Sequence, residues 1–182
     1  PAGNEKYWNV LREQLGITPY VYAVNGREWN DIPRQAEQLE KEHGRDFDAI
    51  MIFMGTNDYN AGIPVGTWYT ESIEEVEAAT GEQRSMKTRK RRVPVMDGST
   101  LCGRINIAMN KMFPDKQVVL LTPIHRAYAM FGDTNVQPSE EYQNSCGEWF
   151  SDYVEAVRQA GSVWSVPVID LYAVSGIYPL LE

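Results

Sequence analysis

The sequence predicts an α/β domain, a three-layer α/β/α sandwich built on a parallel sheet. Apolar runs of strand-forming residues alternate along the chain with segments whose apolar residues recur at the helical period. These runs are continuous rather than interrupted by polar residues, which is typical of parallel strands covered on both faces. The length of 182 residues is that of one domain, and no repeat or linker divides it. We therefore expect residues 1–182 to fold as a single domain.

The first half of the chain contributes two helices and two strands to this prediction. A helical pattern over residues 5–16 and another over residues 31–44 each end at a glycine, which is typical of a helix C-terminus. Residues 20–24 (Tyr-Val-Tyr-Ala-Val) are strand formers, and residues 49–54 form an uncharged run of the same kind. The expected order is helix, strand, helix, strand.

The second half continues the alternation. A helix is expected around residues 100–113, followed by an apolar strand over residues 117–123 that a proline closes. A long amphipathic helix over about residues 140–160 then leads to a fourth strand within residues 162–172. Two further strands separated by helices extend the parallel sheet.

The composition limits the partners that we expect. Seventeen basic and 25 acidic residues give a net charge of -8, which disfavours binding to nucleic acid or to an anionic membrane. No run of 18 apolar residues is present. The cysteines Cys102 and Cys146 have no CxxC spacing and fall in helical patterns, which favours buried thiols. We expect a small-molecule partner and neither a cofactor nor a metal.

One segment, residues 71–95, has a conspicuous charge pattern. Four glutamates precede a Thr80-Gly81 turn, and five basic residues lie within residues 87–92. The basic run alone would indicate phosphate or nucleic-acid contact. Because an acidic arm faces a basic arm across a turn, we expect a hairpin insertion whose charges pair across the strands.

Polar residues follow the predicted strands, and in a parallel sheet these carboxyl ends form the edge where ligands bind. They are Asn25 and Gly26, the run Gly55 to Asp58, the run Thr122 to Arg126, and Asp170. The tetrapeptide Gly-Thr-Asn-Asp stands out because it directly follows the buried strand 49–54.

This tetrapeptide resembles the third signature block of the SGNH (GDSL-like) hydrolases, and Asn25-Gly26 resembles their second, glycine block. The resemblance implies a flavodoxin-like parallel sheet and a serine that attacks an ester carbonyl through an acyl-enzyme. It implies that Gly26 donates its backbone N–H and Asn57 its side-chain amide to the negative oxygen of the tetrahedral intermediate. Asp58 is then a structural partner of nearby backbone groups.

Two blocks of the family are absent from the sequence. The chain contains neither the Gly-Asp-Ser block that carries the nucleophile nor the Asp-x-x-His block that carries the base. We expect both blocks outside residues 1–182, at the two ends, and residues 1–182 by themselves to be inactive on esters. Since Ala173 stands where Asp-x-x-His would place histidine, Asp170 is interpreted as structural.

The substrate is the least specified part of the prediction. We expect small acyl esters, with acetylated carbohydrate as a candidate, and contacts from Tyr59, His125 and Arg126. Aromatic residues near the strand ends could stack on a sugar or line an acyl pocket: Trp29, Tyr59, Trp68, Tyr69 and Tyr128. Two alternatives are an SGNH-like domain that binds a carbohydrate ligand without catalysis and a flavodoxin-like nucleotide binder, which would need a phosphate loop.

Overall fold

The computed structural model describes residues 6–91, 97–132 and 135–179. Its helices are α1 (Tyr7–Leu15), α2 (Ile32–His43), α3 (Thr56–Asn60), α4 (Leu101–Asn110), α5 (Phe150–Trp164) and α6 (Leu171–Val174), with a 3₁₀ turn at Trp29–Asp31. Its strands are β1 (Ala49–Phe53), β2 (Tyr69–Glu77), β3 (Gln83–Arg91), β4 (Gln117–Leu121), β5 (Ala129–Phe131), β6 (Asn135–Gln137) and β7 (Val168–Ile169).

The central sheet is parallel, as the continuous apolar runs predicted. Its strand order is β1-β4-β7, and the strands β1 and β4 pair in parallel from Ala49 opposite Gln117 to Phe53 opposite Leu121. Helices flank this sheet, and the α/β fold class is confirmed. The carboxyl ends of all three strands therefore lie at one edge.

The main core lies between the sheet and the helices α4 and α5. Alternate residues of β1 and β4, such as Ile52 and Leu120, are buried there, together with Ile105 of α4 and Val157 of α5. The opposite face of β1 is less covered: Phe53 keeps 36% of its surface exposed and meets the Tyr7 ring of α1 edge-on, with 6.4 Å between ring centroids. Most of the stabilisation from burying apolar side chains therefore comes from one face of the sheet.

The predicted strand at residues 20–24 is not a strand in the structure. No described strand pairs with it, so its backbone has no ladder to join. It is held instead by α2, because Gln35 donates to the Tyr22 carbonyl at 3.1 Å and the Tyr22 hydroxyl donates to Glu42 at 2.7 Å. β-Propensity alone was therefore a poor guide here.

The predicted helix at residues 140–160 was also partly wrong. Helix α5 begins ten residues later, at Phe150, because Asn144 accepts the backbone N–H groups of Cys146 and Glu148 and closes a turn. Cys146 therefore lies exposed in this turn, whereas Cys102 is buried in α4, so the expectation of a buried thiol holds only for Cys102. The fourth strand is shorter than predicted, spanning Val168–Ile169.

The acidic and basic arms pair as an antiparallel hairpin of β2 and β3. Glu71 forms salt bridges with Lys87 and Arg89, and Glu74 with Lys90. Residues 92–95, the end of the segment predicted as an insertion, lie outside the described residues. The basic side chains thus face carboxylates within the same hairpin.

From this pairing we expect no salt-dependent affinity for DNA. Three bases of the hairpin, Lys87, Arg89 and Lys90, are already paired with carboxylates, and the chain carries a net charge of -8. Fluorescence anisotropy with a labelled duplex at low and high salt measures this. Tight binding at low salt that weakens steeply with added salt, and that is lost when Lys87 and Lys90 are replaced by Ser, would overturn the expectation.

No described helix is long and apolar enough to cross a bilayer.

Candidate functional site

A sharp turn carries the chain from the end of β1 into the short helix α3. Gly55 occupies the turn with φ 120°, a backbone conformation that side chains disfavour, and a Cβ there would lie 3.1 Å from the Pro123 ring. This close approach of the two strand ends requires glycine at position 55. The turn places Asn57 in the first turn of α3, at the carboxyl edge of the sheet.

The two predicted oxyanion donors lie on neighbouring loops. The Asn57 side-chain nitrogen donates to the backbone carbonyl of Arg27 at 2.9 Å, and Arg27 directly follows Gly26. Gly26 itself adopts φ 79° in a tight turn. A side-chain amide has two N–H groups, and this bond uses one of them. The second Asn57 N–H can therefore serve a ligand beside the Gly26 loop.

Asp58 is a buried structural residue, as expected. Its carboxylate is fully buried and accepts the Trp29 backbone N–H at 3.1 and 3.3 Å. Burial raises the pKa of Asp58 above its usual value of 3.8, and the hydrogen bonds from Arg104 and Trp29 offset this only in part. The bond to Trp29 ties the turn after β1 to the loop that carries Gly26.

Sequence reasoning missed a third tie between these loops, Arg104. This α4 residue is 9% exposed, and its NH1 group lies 2.5 Å from a Glu28 oxygen and 2.9 Å from an Asp58 oxygen. Its Nε donates to the Gly98 carbonyl at 2.9 Å. The signal was visible in the sequence as one charged residue inside an otherwise uncharged helix, because such a charge needs a buried partner.

His125 lies past the end of β4 and forms a pair with Glu140. Its Nδ1 is 2.7 Å from a Glu140 oxygen, and its ring packs against Tyr172 with centroids 3.7 Å apart. The Tyr172 hydroxyl donates to the same Glu140 oxygen at 3.3 Å, and the other oxygen accepts the Arg126 backbone N–H. The carboxylate holds the imidazole in one orientation and leaves Nε2 without a protein partner among the described residues.

Tyr59 is not available as a substrate contact. The side chain is fully buried, its ring packs edge-on against Phe150 and Tyr153, and its hydroxyl donates to the Tyr142 carbonyl at 2.6 Å. The sequence placed it one residue after Asp58, but the turn of α3 directs it into the core. Among the other aromatic candidates, two are buried and two are exposed: Trp29 and Trp68, and Tyr69 and Tyr128.

Asp170 caps the last described helix and is structural, as predicted. It accepts the Ala173 backbone N–H at 3.3 Å, the Thr122 hydroxyl at 3.0 Å and the Arg158 Nε at 2.8 Å. Burial raises the pKa of Asp170, but the hydrogen bonds from Arg158 and Thr122 lower it by more than burial raises it. The pKa of Asp170 therefore lies below its usual value of 3.8.

This pKa shift predicts how stability depends on pH. Because the folded carboxyl has the lower pKa, the unfolded chain binds the proton more readily in acid. The stabilisation from ionised Asp170 is therefore present above pH 3.8 and is lost as the pH falls through the lower folded pKa. We expect the stability gap between the native chain and Asp170→Asn, measured by urea unfolding, to close over this range. A gap that is constant with pH would contradict the assignment.

The described surface has two concavities that do not include Gly26, Asn57 or His125. One, of about 380 Å³, lies over α2 beside residues 19–24, and the other, of about 590 Å³, lies at the base of the hairpin beside Trp68. Within the described residues, no three His, Cys, Asp or Glu side chains are grouped to hold a metal ion.

Solved structures of longer proteins share this architecture. The crystal structure of a possible lipase from Chitinophaga pinensis matches with a TM-score of 0.67 and 22% sequence identity, over 98% of this chain and 61% of that chain. The chain shares the α/β fold of that protein. A protein from Lactobacillus plantarum matches this chain with a TM-score of 0.51 and 20% identity, over 79% of this chain and 55% of that chain. No protein-family model and no curated protein matches the sequence.

The chain therefore spans 61% and 55% of the lengths of these two proteins. In an open parallel α/β sheet the carboxyl edge is the general position of ligands. The loops that meet at this edge carry Gly26, Asn57, His125 and Arg126.

Proposed function

We propose that this chain is the oxyanion-binding part of an SGNH-type serine ester hydrolase that acts on small acyl esters. In this proposal, the carbonyl oxygen of the ester becomes negative in the tetrahedral intermediate and accepts hydrogen bonds from the Gly26 N–H and the Asn57 amide. The nucleophilic serine and its base lie in sequence outside residues 1–182. An acetylated carbohydrate is one candidate substrate.

The proposal depends on one observation, the bond between Asn57 and the loop that follows Gly26. An oxyanion site needs donors that are fixed before the charge develops. The Asn57 amide is fixed by its 2.9 Å bond to the Arg27 carbonyl. The buried Asp58 fixes the turn after β1 through its hydrogen bonds to the Trp29 backbone N–H. The lipase-like fold supports the same assignment at the level of architecture.

A second function, ligand binding without catalysis, is favoured by a different observation. Residues 1–182 contain no Gly-Asp-Ser block and no Asp-x-x-His block. An edge that keeps neutral donors without a nucleophile can hold a carbonyl or hydroxyl group but cannot form an acyl-enzyme.

A serine-reactive fluorophosphonate probe separates the two functions. The test protein carries residues 1–182 together with its encoded flanking sequence, and a heat-denatured sample is the control. We expect one labelled serine, located by peptide mass spectrometry before Pro1. Labelling of a serine within residues 1–182 would show that the proposal places the nucleophile in the wrong part of the sequence. Absence of labelling would favour the binding function.

A further inference from the structure

Arg126 lies beside the Asn57 turn. Its guanidinium donates from NH1 to the Asn60 side-chain oxygen at 2.7 Å, and the Asn60 amide nitrogen is 3.5 Å from the Asn57 side-chain oxygen. Arg126 therefore reaches the same edge of the sheet as the candidate oxyanion donors, from the loop after β4.

Arg126 differs in its ion pairing from the other arginines whose side chains the structure describes. Each of the others has a carboxylate oxygen within 4.0 Å, whereas the guanidinium of Arg126 has none among the residues that the structure describes. The paired arginines are Arg12, Arg27, Arg34, Arg45, Arg84, Arg89, Arg104 and Arg158. In a chain with a net charge of -8, acidic partners are not scarce. Within the described part of the chain, the lack of a salt bridge is thus specific to Arg126.

The nearby carboxylate of Glu140 acts on the Arg126 guanidinium only at longer range, because it forms no salt bridge with it. Its oxygens accept the His125 ring, the Tyr172 hydroxyl and the backbone N–H of Arg126. The Arg126 side chain instead lies over the rings of Tyr59 and Phe150, 5.2 and 5.5 Å from their centroids.

The Arg126 guanidinium is also partly removed from water. Its Nε is buried and has no hydrogen-bond partner among the described residues, and burial lowers the pKa of the group. A guanidinium remains charged under such a shift, so the site holds a cation that is stabilised by the Asn60 amide, by two rings and, at longer range, by Glu140, without a direct ion pair among the described residues. Such a charge lowers the stability of the fold unless an anion pairs with it.

We propose that Arg126 binds a carboxylate of the substrate, so that the preferred ester carries a negatively charged group beside its scissile bond. Guanidinium groups bind carboxylates through paired hydrogen bonds, which a neutral acyl chain cannot form. This inference deepens the proposed function and depends on it for the reaction, but the binding of the anion does not require hydrolysis.

The binding test uses residues 1–182 and two probes of similar shape. Monomethyl succinate carries the carboxylate, and methyl levulinate replaces it by a neutral ketone. We expect monomethyl succinate to shift the Arg126 Nε–H signal in an NMR titration, identified by its loss in Arg126→Lys, while methyl levulinate does not. Equal shifts with both probes would overturn the proposal.

Two variants sharpen the test. Arg126→Gln should weaken the binding of monomethyl succinate about 10- to 100-fold, the range for a hydrogen bond to a charged group. Arg45→Gln removes a guanidinium that precedes β1, at the opposite edge of the sheet, and should leave binding unchanged. Undiminished binding in Arg126→Gln would contradict the assignment.

A kinetic readout distinguishes this inference from the proposed function. In the protein with its flanking sequence, the ratio of kcat/KM for p-nitrophenyl hemisuccinate to that for p-nitrophenyl butyrate should fall about 10- to 100-fold in Arg126→Gln. If the enzyme is active and this ratio is unchanged in Arg126→Gln, the proposal that Arg126 recognises an anion is overturned, whereas the proposed hydrolase function is not. Anion binding without any ester turnover would overturn the proposed hydrolase and leave the Arg126 site standing.

Discussion

Replacing Asn57 by Ala should lower the acylation rate of the protein with its flanking sequence by about 10²–10³, the loss for one oxyanion donor. The side-chain amide is the group that the proposal aims at the developing negative charge. Its removal deletes one contact to the transition state and also the 2.9 Å bond to the Arg27 carbonyl. Stopped-flow release of p-nitrophenolate from a short ester measures the rate.

Two variants control this experiment. Asn57→Asp keeps the size of the side chain but places a carboxylate beside the oxyanion, so its acylation should be at least as slow as in Asn57→Ala. Asn110→Ala removes an exposed asparagine at the end of α4 and should not change the rate. An acylation rate in Asn57→Ala equal to that of the native protein would remove Asn57 from the mechanism.

Replacing Arg104 by Met should destabilise the fold by ~3–5 kcal/mol, the cost of removing one partner from a buried ion pair. Arg104 lies between the carboxylates of Glu28 and Asp58, and without it the fully buried Asp58 faces the partly buried Glu28 with no cation between them. Chemical denaturation measures the free energy of unfolding. Because both carboxylates flank the candidate donors, the Asn57 side-chain amide signals should also shift in an NMR spectrum.

The matched control is Arg158→Met, which removes an arginine whose side chain is 35% exposed and paired with Asp170. This substitution should lower the free energy of unfolding by about 0–1 kcal/mol, as for surface ion pairs. Adding Glu28→Gln to Arg104→Met should recover part of the lost stability, since the repulsion between Glu28 and the buried Asp58 is then removed. Equal costs for the Arg104 and Arg158 variants would show that the buried cluster does not hold the loops together.

The sequence predicted the parts of the fold whose signals are local. Strand β1 and strand β4 were found because each is a run of apolar residues bounded by turn formers, and α2 because its pattern ends at a glycine. The position of Asn57 at the edge follows from the strand that precedes it. These predictions needed no knowledge of which elements touch.

The errors arose where tertiary contacts decide the outcome. Residues 20–24 have strand propensity but no neighbouring strand among those described, and the turn closed by Asn144 delays α5 by ten residues. The burial of Tyr59 and the pairing of Arg104 with Asp58 join positions far apart in sequence. A single sequence does not specify such contacts, although a charge inside an apolar helix such as α4 signals that one exists.

The most direct test of the central claim is a pre-steady-state burst assay on the protein with its flanking sequence. An acyl-enzyme forms faster than water releases it, so a short p-nitrophenyl ester should give a rapid release of p-nitrophenolate stoichiometric with the enzyme, followed by slower turnover. Residues 1–182 alone should give no burst. Absence of a burst and of turnover in the longer protein, with ligand binding at the carboxyl edge retained, would contradict the hydrolase and favour a binding domain.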